Sequence, residues 1–170
     1  MADTDVKWPS SMTAHIAATI HHEHFPSGDR ATLKRMTPDG RKPLAFHRFL
    51  MRHIPQKWHG GHFDAAWRTL IAGVALQPVH PHNPERPLGQ ALASIDYSED
   101  RLERLLAADG LVLHTLLLRA ARRLAARHAR ANWNDYARLL FAASDEAREQ
   151  INTRIARDYY RAPESQRENG

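Results

Sequence analysis

Residues 111–130, LVLHTLLLRAARRLAARHAR, form the stretch that decides the fold. The stretch contains no Gly and no Pro, and its Ala, Leu and Arg residues are strong helix formers. On a helical wheel with about 100° per residue, its apolar side chains gather on one side: Leu113, Leu116, Leu117, Ala120 and Leu124. Its arginines gather on roughly the other side: Arg119, Arg122, Arg123, Arg127 and Arg130. The pattern predicts a long amphipathic helix with one core face and one basic face.

The basic face is unusual because no acidic residue occurs between Leu111 and Arg130. Helices whose charges serve only solubility usually mix both signs, so that cations find partners three or four residues away. Two interpretations stay open at this point. The arginines pair with carboxylates from neighbouring helices on a solvated face, or they bind an external anion such as a phosphate backbone.

The remainder of the chain also has helical periodicity, broken by capping and turn signals. Helices are predicted from Ser10 or Ser11 to Phe25 and over residues 29–36, 44–54, 63–77, 88–95, 99–109, 133–143 and 145–162. No segment of any length alternates apolar and polar residues, and no Asn-Gly hairpin signal occurs, so no strand is predicted.

Residues 78–87, PVHPHNPERP, contain four prolines in ten positions and predict a linker. The predicted fold is therefore all-α, with two small helical bundles joined by this Pro-rich linker. Residues 10–77 form the N-terminal bundle and residues 88–162 the C-terminal bundle. The polar residues 163–170 are predicted to be a disordered tail.

The charge of the whole chain points to anionic partners. Its 170 residues include 24 Lys and Arg against 19 Asp and Glu, and twenty of the basic residues are Arg. Arginine makes bidentate contacts to phosphate and stacks on bases, so this balance favours nucleic acid or an anionic membrane. No apolar run reaches the roughly 18 residues of a membrane span, and the first residues lack the apolar core of a signal peptide. We expect a cytoplasmic protein with no membrane partner.

The residue types and motifs of the chain give little support for catalysis or metal binding. Absence of cysteine excludes thiolate nucleophiles and cysteine zinc sites. Residues 21–24, HHEH, put histidines on adjacent helical positions that point about 100° apart, which does not suit one ion. A second group, His59, His62, His80 and His82, lies in loops rich in Gly and Pro. Without a GxSxG motif or a phosphate-binding Gly-rich loop, we predict no enzyme activity, no metal site and no cofactor.

Binding is therefore the favoured class of function. A second basic patch, Arg30, Lys34 and Arg35, accompanies the long helix. A nucleic-acid-binding subunit, a helical adaptor that joins proteins, and a dimeric helix-turn-helix regulator all remain open. Arginines spread along a whole helix fit backbone tracking better than a short recognition helix.

Several runs, in this order, give the chain a family resemblance: GDRATLKR at residues 28–35, LGQALA at residues 88–93, RLERLLAAD at residues 101–109, LRAARRL at residues 118–124, WNDYARLL at residues 133–140 and ARDYYR at residues 156–161. Together they resemble the CasB family, the small subunits of the Cascade complex in type I-E CRISPR systems. The resemblance covers roughly residues 28–161.

The resemblance implies a non-catalytic, all-α protein that occurs as two copies in an RNA-guided complex. Its partners would be the backbone and large subunits, the crRNA and the target DNA, and its basic surface would stabilise the R-loop and the displaced strand. Residue matches carry over Arg30, Lys34, Arg35, Arg101, Arg122 and Arg123 as nucleic-acid-binding positions. Arg119, Arg127 and Arg130 are added from the helical wheel alone.

Overall fold

The computed structural model describes residues 10–162, and within them every regular element is helical. The α-helices are α1 (Ser10–Ile20), α2 (Ser27–Leu33), α3 (Leu44–His53), α4 (Asp64–Leu76), α5 (Leu88–Ser94), α6 (Glu99–Ala107), α7 (Gly110–Ala126), α8 (Trp133–Leu140) and α9 (Asp145–Tyr160). Two short 3-10 turns, Gln56–Trp58 and Gly61–Phe63, precede α4. The all-α class is confirmed. No helix in residues 10–162 is long and apolar enough to span a membrane.

Side-chain caps explain where several helices begin. The Ser98 side chain accepts a hydrogen bond from the backbone N–H of Arg101, and Ser144 accepts one from Ala147. Each bond satisfies one of the N–H groups that a helix start leaves without a partner. The Asn132 side chain caps α8 by accepting the backbone N–H of Asn134.

The basic helix α7 ends earlier than predicted, at Ala126 instead of Arg130. His128 adopts a left-handed backbone conformation with φ of 51°, and the N–H of Ala129 bonds to the carbonyl of Leu124 at 2.9 Å. This turn leads the chain to Ala131, which forms an isolated parallel bridge with His82. Arg130 therefore lies beyond the helix.

One hydrophobic core runs through both halves of the chain. Helix α4 packs against α7, α1 against α8, and α5 against α9. A Cβ at Gly73 of α4 would lie 3.0 Å from the ring of Trp133, and the Gln77 amide donates to the carbonyl of Ala121 at 2.9 Å. Residues 78–87 have no helix, and Pro81 and His82 within them are buried. The division into two bundles and a linker stays a prediction, and the predicted tail lies outside the described residues.

Candidate nucleic-acid interface

The core face of α7 is wider than the helical wheel predicts. Leu113, Leu117, Ala120 and Leu124 are buried as expected, whereas Leu116 is half-buried. Leu118 and Ala121 are buried as well, because α7 contacts α4, α5 and α6. The solvent-facing strip that remains is correspondingly narrow and holds the arginines.

Three arginines of α7 are open to solvent: Arg119, Arg122 and Arg123. None of them forms an ion pair or a side-chain hydrogen bond with any residue between 10 and 162. Carboxylates between residues 10 and 162 therefore do not neutralise these three arginines, as the first interpretation required. Their guanidinium donors are free to bind an external anion.

Helix α6 adds a further arginine beside this strip. Arg101 is exposed, and both Arg101 and Arg123 lie close enough to Tyr97 to lower the pKa of its hydroxyl, although burial outweighs them and raises that pKa overall. Arg101 thus shares the neighbour Tyr97 with Arg123 of the last turn of α7. Arg104, three residues later, is also exposed and stands on the same side of α6. Arg104 is not among the predicted site residues, and its spacing of three residues from the predicted Arg101 is the signal that could have found it.

Arg127 and Arg130 each contact another part of the chain, but only Arg130 is held there by a hydrogen bond. An Arg127 Nη2 lies 3.7 Å from the Asp96 carboxylate, and both side chains are largely exposed. An exposed pair at this distance stabilises little and leaves Arg127 available. Arg130 Nη2 donates to the backbone carbonyl of His82 at 2.9 Å. Arg130 therefore fastens the Pro-rich segment beside the end of α7.

In the N-terminal basic patch, one residue is held by contacts within the chain and two are open to solvent. Arg30 donates from Nε to the carbonyl of Ile20 at 2.9 Å and from Nη2 to that of His22 at 3.3 Å, and its guanidinium lies 5.9 Å from the ring centre of Phe25. A cation at the C-terminal end of α1 suits the negative end of the helix dipole. Lys34 and Arg35 are exposed and form no ion pair within residues 10–162. Arg30 thus has a structural role, and the other two are open.

Several arginines of α8 and α9, by contrast, are paired with other groups of the same chain. The buried carboxylate of Asp135 lies 3.3 Å from Arg138 and 2.7 Å from Arg154, and it accepts the backbone N–H of Leu88 at 3.0 Å. Arg148 donates to the carbonyl of Ala108 at 2.9 Å, and burial lowers the pKa of its guanidinium. The open arginines of α7 have no such contacts.

Some histidines and most of the large aromatic residues serve the interior. His21 bonds to the carbonyl of Val74 at 2.8 Å, and burial lowers the pKa of its ring. Among residues 10–162, no three His, Asp or Glu side chains converge in a way that could hold a metal ion. Most tryptophans and tyrosines within that range are buried and unavailable to stack on bases: Trp58, Trp67, Trp133, Tyr97, Tyr136 and Tyr159.

Comparison with known proteins gives one match. Residues 29–160 match the model of a family described as CRISPR-associated protein Cse2. No curated protein and no solved structure matches the chain. The matched residues include the basic strip, which consists of Arg101 of α6 and Arg119, Arg122 and Arg123 of α7. They also include every described helix except α1 and the first two residues of α2. The chain therefore belongs to the Cse2 family, the CasB small subunits of the type I-E CRISPR Cascade complex.

Proposed function

We propose that this chain is a non-catalytic Cascade subunit that binds the nucleic-acid backbone through the basic strip of α6 and α7. Bound there, it stabilises the R-loop, including the displaced DNA strand. One observation carries the proposal: Arg119, Arg122 and Arg123 are exposed and without an ion-pair partner in residues 10–162.

Backbone binding fits a complex in which a guide RNA reads the sequence. Exchanging a DNA duplex for an RNA–DNA duplex is nearly balanced in free energy, so a few protein contacts to the strands shift the equilibrium. Contacts to phosphate carry no sequence information and therefore accept any target. Free guanidinium groups on a rigid helix provide such contacts without a prior loss of internal ion pairs.

The remaining partners follow from membership of Cascade and are part of the proposal. They are the backbone and large subunits, a second copy of this chain and the crRNA. We further propose that the protein is cytoplasmic, as expected for a partner of CRISPR RNA.

Two other functions use the same surface differently. A protein adaptor would place these arginines against acidic subunits and would not bind DNA even at low salt. A helix-turn-helix regulator would need α8 as the recognition helix, yet Trp133, Tyr136 and Leu139 of α8 are buried. Their burial speaks against groove reading by this helix.

Binding of fluorescent single-stranded DNA, measured by anisotropy at low salt, tests the proposal. The wild type should bind oligonucleotides of different sequence alike, and R122E/R123E should abolish binding. R157E/R161E is the matched control, because it changes two exposed arginines of the α9 end by the same charge. An equal loss of DNA binding in both variants would show that the effect comes from net charge and not from this strip. No binding by the wild type would favour the adaptor.

A further inference from the structure

A groove of about 420 Å³ lies between α1 and α3, beside the turn that joins α1 to α2. The small side chains of Ala18 and Ala45 leave the space open. Phe25 and Phe49 line it, with ring centres 6.3 Å apart in an edge-to-face arrangement. The groove is thus apolar and aromatic inside, and its volume lies within the roughly 300–1,000 Å³ of small-molecule sites.

The rim of the groove is cationic. Arg48 Nη2 lies 2.8 Å from the carboxylate of Asp29, so these two charges neutralise each other. Arg52 is exposed and has no ion-pair partner in the described part of the chain. It therefore supplies an unbalanced positive charge at the mouth of an aromatic groove.

Histidine extends the aromatic wall next to this arginine. The ring of His53 lies 4.8 Å from that of Phe49, and its Nδ1 is 3.2 Å from His15 Nε2. Burial, His15 and Arg52 lower the pKa of His53, which keeps the ring neutral at neutral pH. The neutral ring of His53 thus lies beside the phenyl ring of Phe49 and near the free guanidinium of Arg52.

The groove adjoins the N-terminal basic patch. Phe25 forms part of its wall, and the guanidinium of Arg30 lies over the same ring. Helix α2, which carries Arg30, leads to the exposed Lys34 and Arg35. Asp29 in the first turn of α2 lines the groove, and Lys34 and Arg35 follow the end of the same short helix.

We propose that this groove holds one unstacked nucleotide of a single-stranded nucleic acid. The base packs against the half-buried rings of Phe25 and His53, beside the buried ring of Phe49, and its phosphate contacts Arg52. Aromatic stacking accepts any base, and phosphate is the anion that matches a free guanidinium. The proposal rests on the proposed function, since it assigns that function a second contact point away from α7.

Photocrosslinking of an oligonucleotide with a single 5-bromodeoxyuridine tests the groove. Ultraviolet light joins this base to aromatic side chains near it, and mass spectrometry identifies the joined peptide. Crosslinks should fall on peptides that contain Phe25 or His53. A18F, which fills the groove from an exposed position on α1, should reduce them more than tenfold.

Charge variants and the free nucleotide separate this proposal from the function on which it rests. R52E should reduce the crosslinks, whereas R41E, an exposed arginine outside the groove, should not. If R122E/R123E abolishes oligonucleotide binding while free 5-bromodeoxyuridine monophosphate still crosslinks at Phe25 or His53, the groove proposal is supported independently. Crosslinks confined to α6 and α7, or unchanged by a folded A18F, would overturn the groove and leave the proposed function intact. Capture of an acidic peptide in place of either nucleotide would also overturn it.

Discussion

Gly89 of α5 provides a sensitive test of how the helices pack. A Cβ at this position would lie 2.1 Å from the carbonyl oxygen of Ile155 and 2.7 Å from the amide nitrogen of Tyr159, both in the backbone of α9. Nonbonded atoms normally approach to about 3.5 Å, so α5 would have to withdraw from α9 by roughly 1.4 Å. Backbone atoms cannot rotate aside as a side chain can, and the clash must therefore move a whole helix.

The expected loss of stability in Gly89→Ala follows from two opposing effects. Replacing Gly by Ala inside a helix favours folding by about 1 kcal/mol, whereas overpacking costs about 1–3 kcal/mol. Because the neighbours are backbone, we expect the upper end of the cost and a net loss of about 2 kcal/mol. In a chain of this size the melting temperature should fall by about 4–8 °C.

Urea unfolding followed by far-UV circular dichroism measures this change. Gly28→Ala in α2 is the matched control, because nothing lies within 4 Å of a Cβ built there. That variant should be unaffected or up to about 1 kcal/mol more stable. A Gly89→Ala protein as stable as the wild type would refute the close contact of α5 with α9.

Two further predictions concern buried polar groups. Burial lowers the pKa of the His82 ring, and His80 and Arg130 act in the same direction. Below about pH 6.5 the unfolded chain therefore takes up a proton more readily than the folded chain, and the stability of the fold decreases as the pH falls. His82→Asn keeps an acceptor for the N–H of Trp133 and should weaken the pH dependence of the urea midpoint between pH 7.5 and 5; an unchanged dependence would contradict this role. Asp135→Asn should lower the free energy of unfolding by roughly 1–3 kcal/mol, because it removes the charge that two arginines share, and thermal unfolding at neutral pH checks this. An Asp135→Asn variant as stable as the wild type would show that solvent replaces those ion pairs.

Local sequence signals predicted the helices because each is decided by near neighbours. Ser98 and Ser144 cap their helices through bonds to residues three positions later, and the core positions of α7 follow from its periodicity. The end of α7 was mispredicted because no Gly marks it. His128 takes the left-handed conformation instead, where the tertiary fold turns the chain toward Ala131.

The roles of single arginines could be predicted only in part. Periodicity places Arg122 and Arg123 on the outer side of α7, and the structure agrees. It cannot reveal that Arg130 meets the carbonyl of His82, which is 48 residues away, or that Arg30 caps the end of another helix. Such contacts depend on how the helices assemble, which the spacing of residues along one helix does not determine.

The salt dependence of single-stranded DNA affinity tests the central claim most directly. Each phosphate contact contributes about 0.7 to the slope of log affinity against log salt, so contacts from Arg119, Arg122 and Arg123 predict a slope of about −2 or steeper. R122A/R123A should reduce the steepness of this slope by about 1.4. The free energy of unfolding, measured by urea titration, should change by no more than about 0.5 kcal/mol. A slope that R122A/R123A leaves unchanged would contradict nucleic-acid binding through this strip.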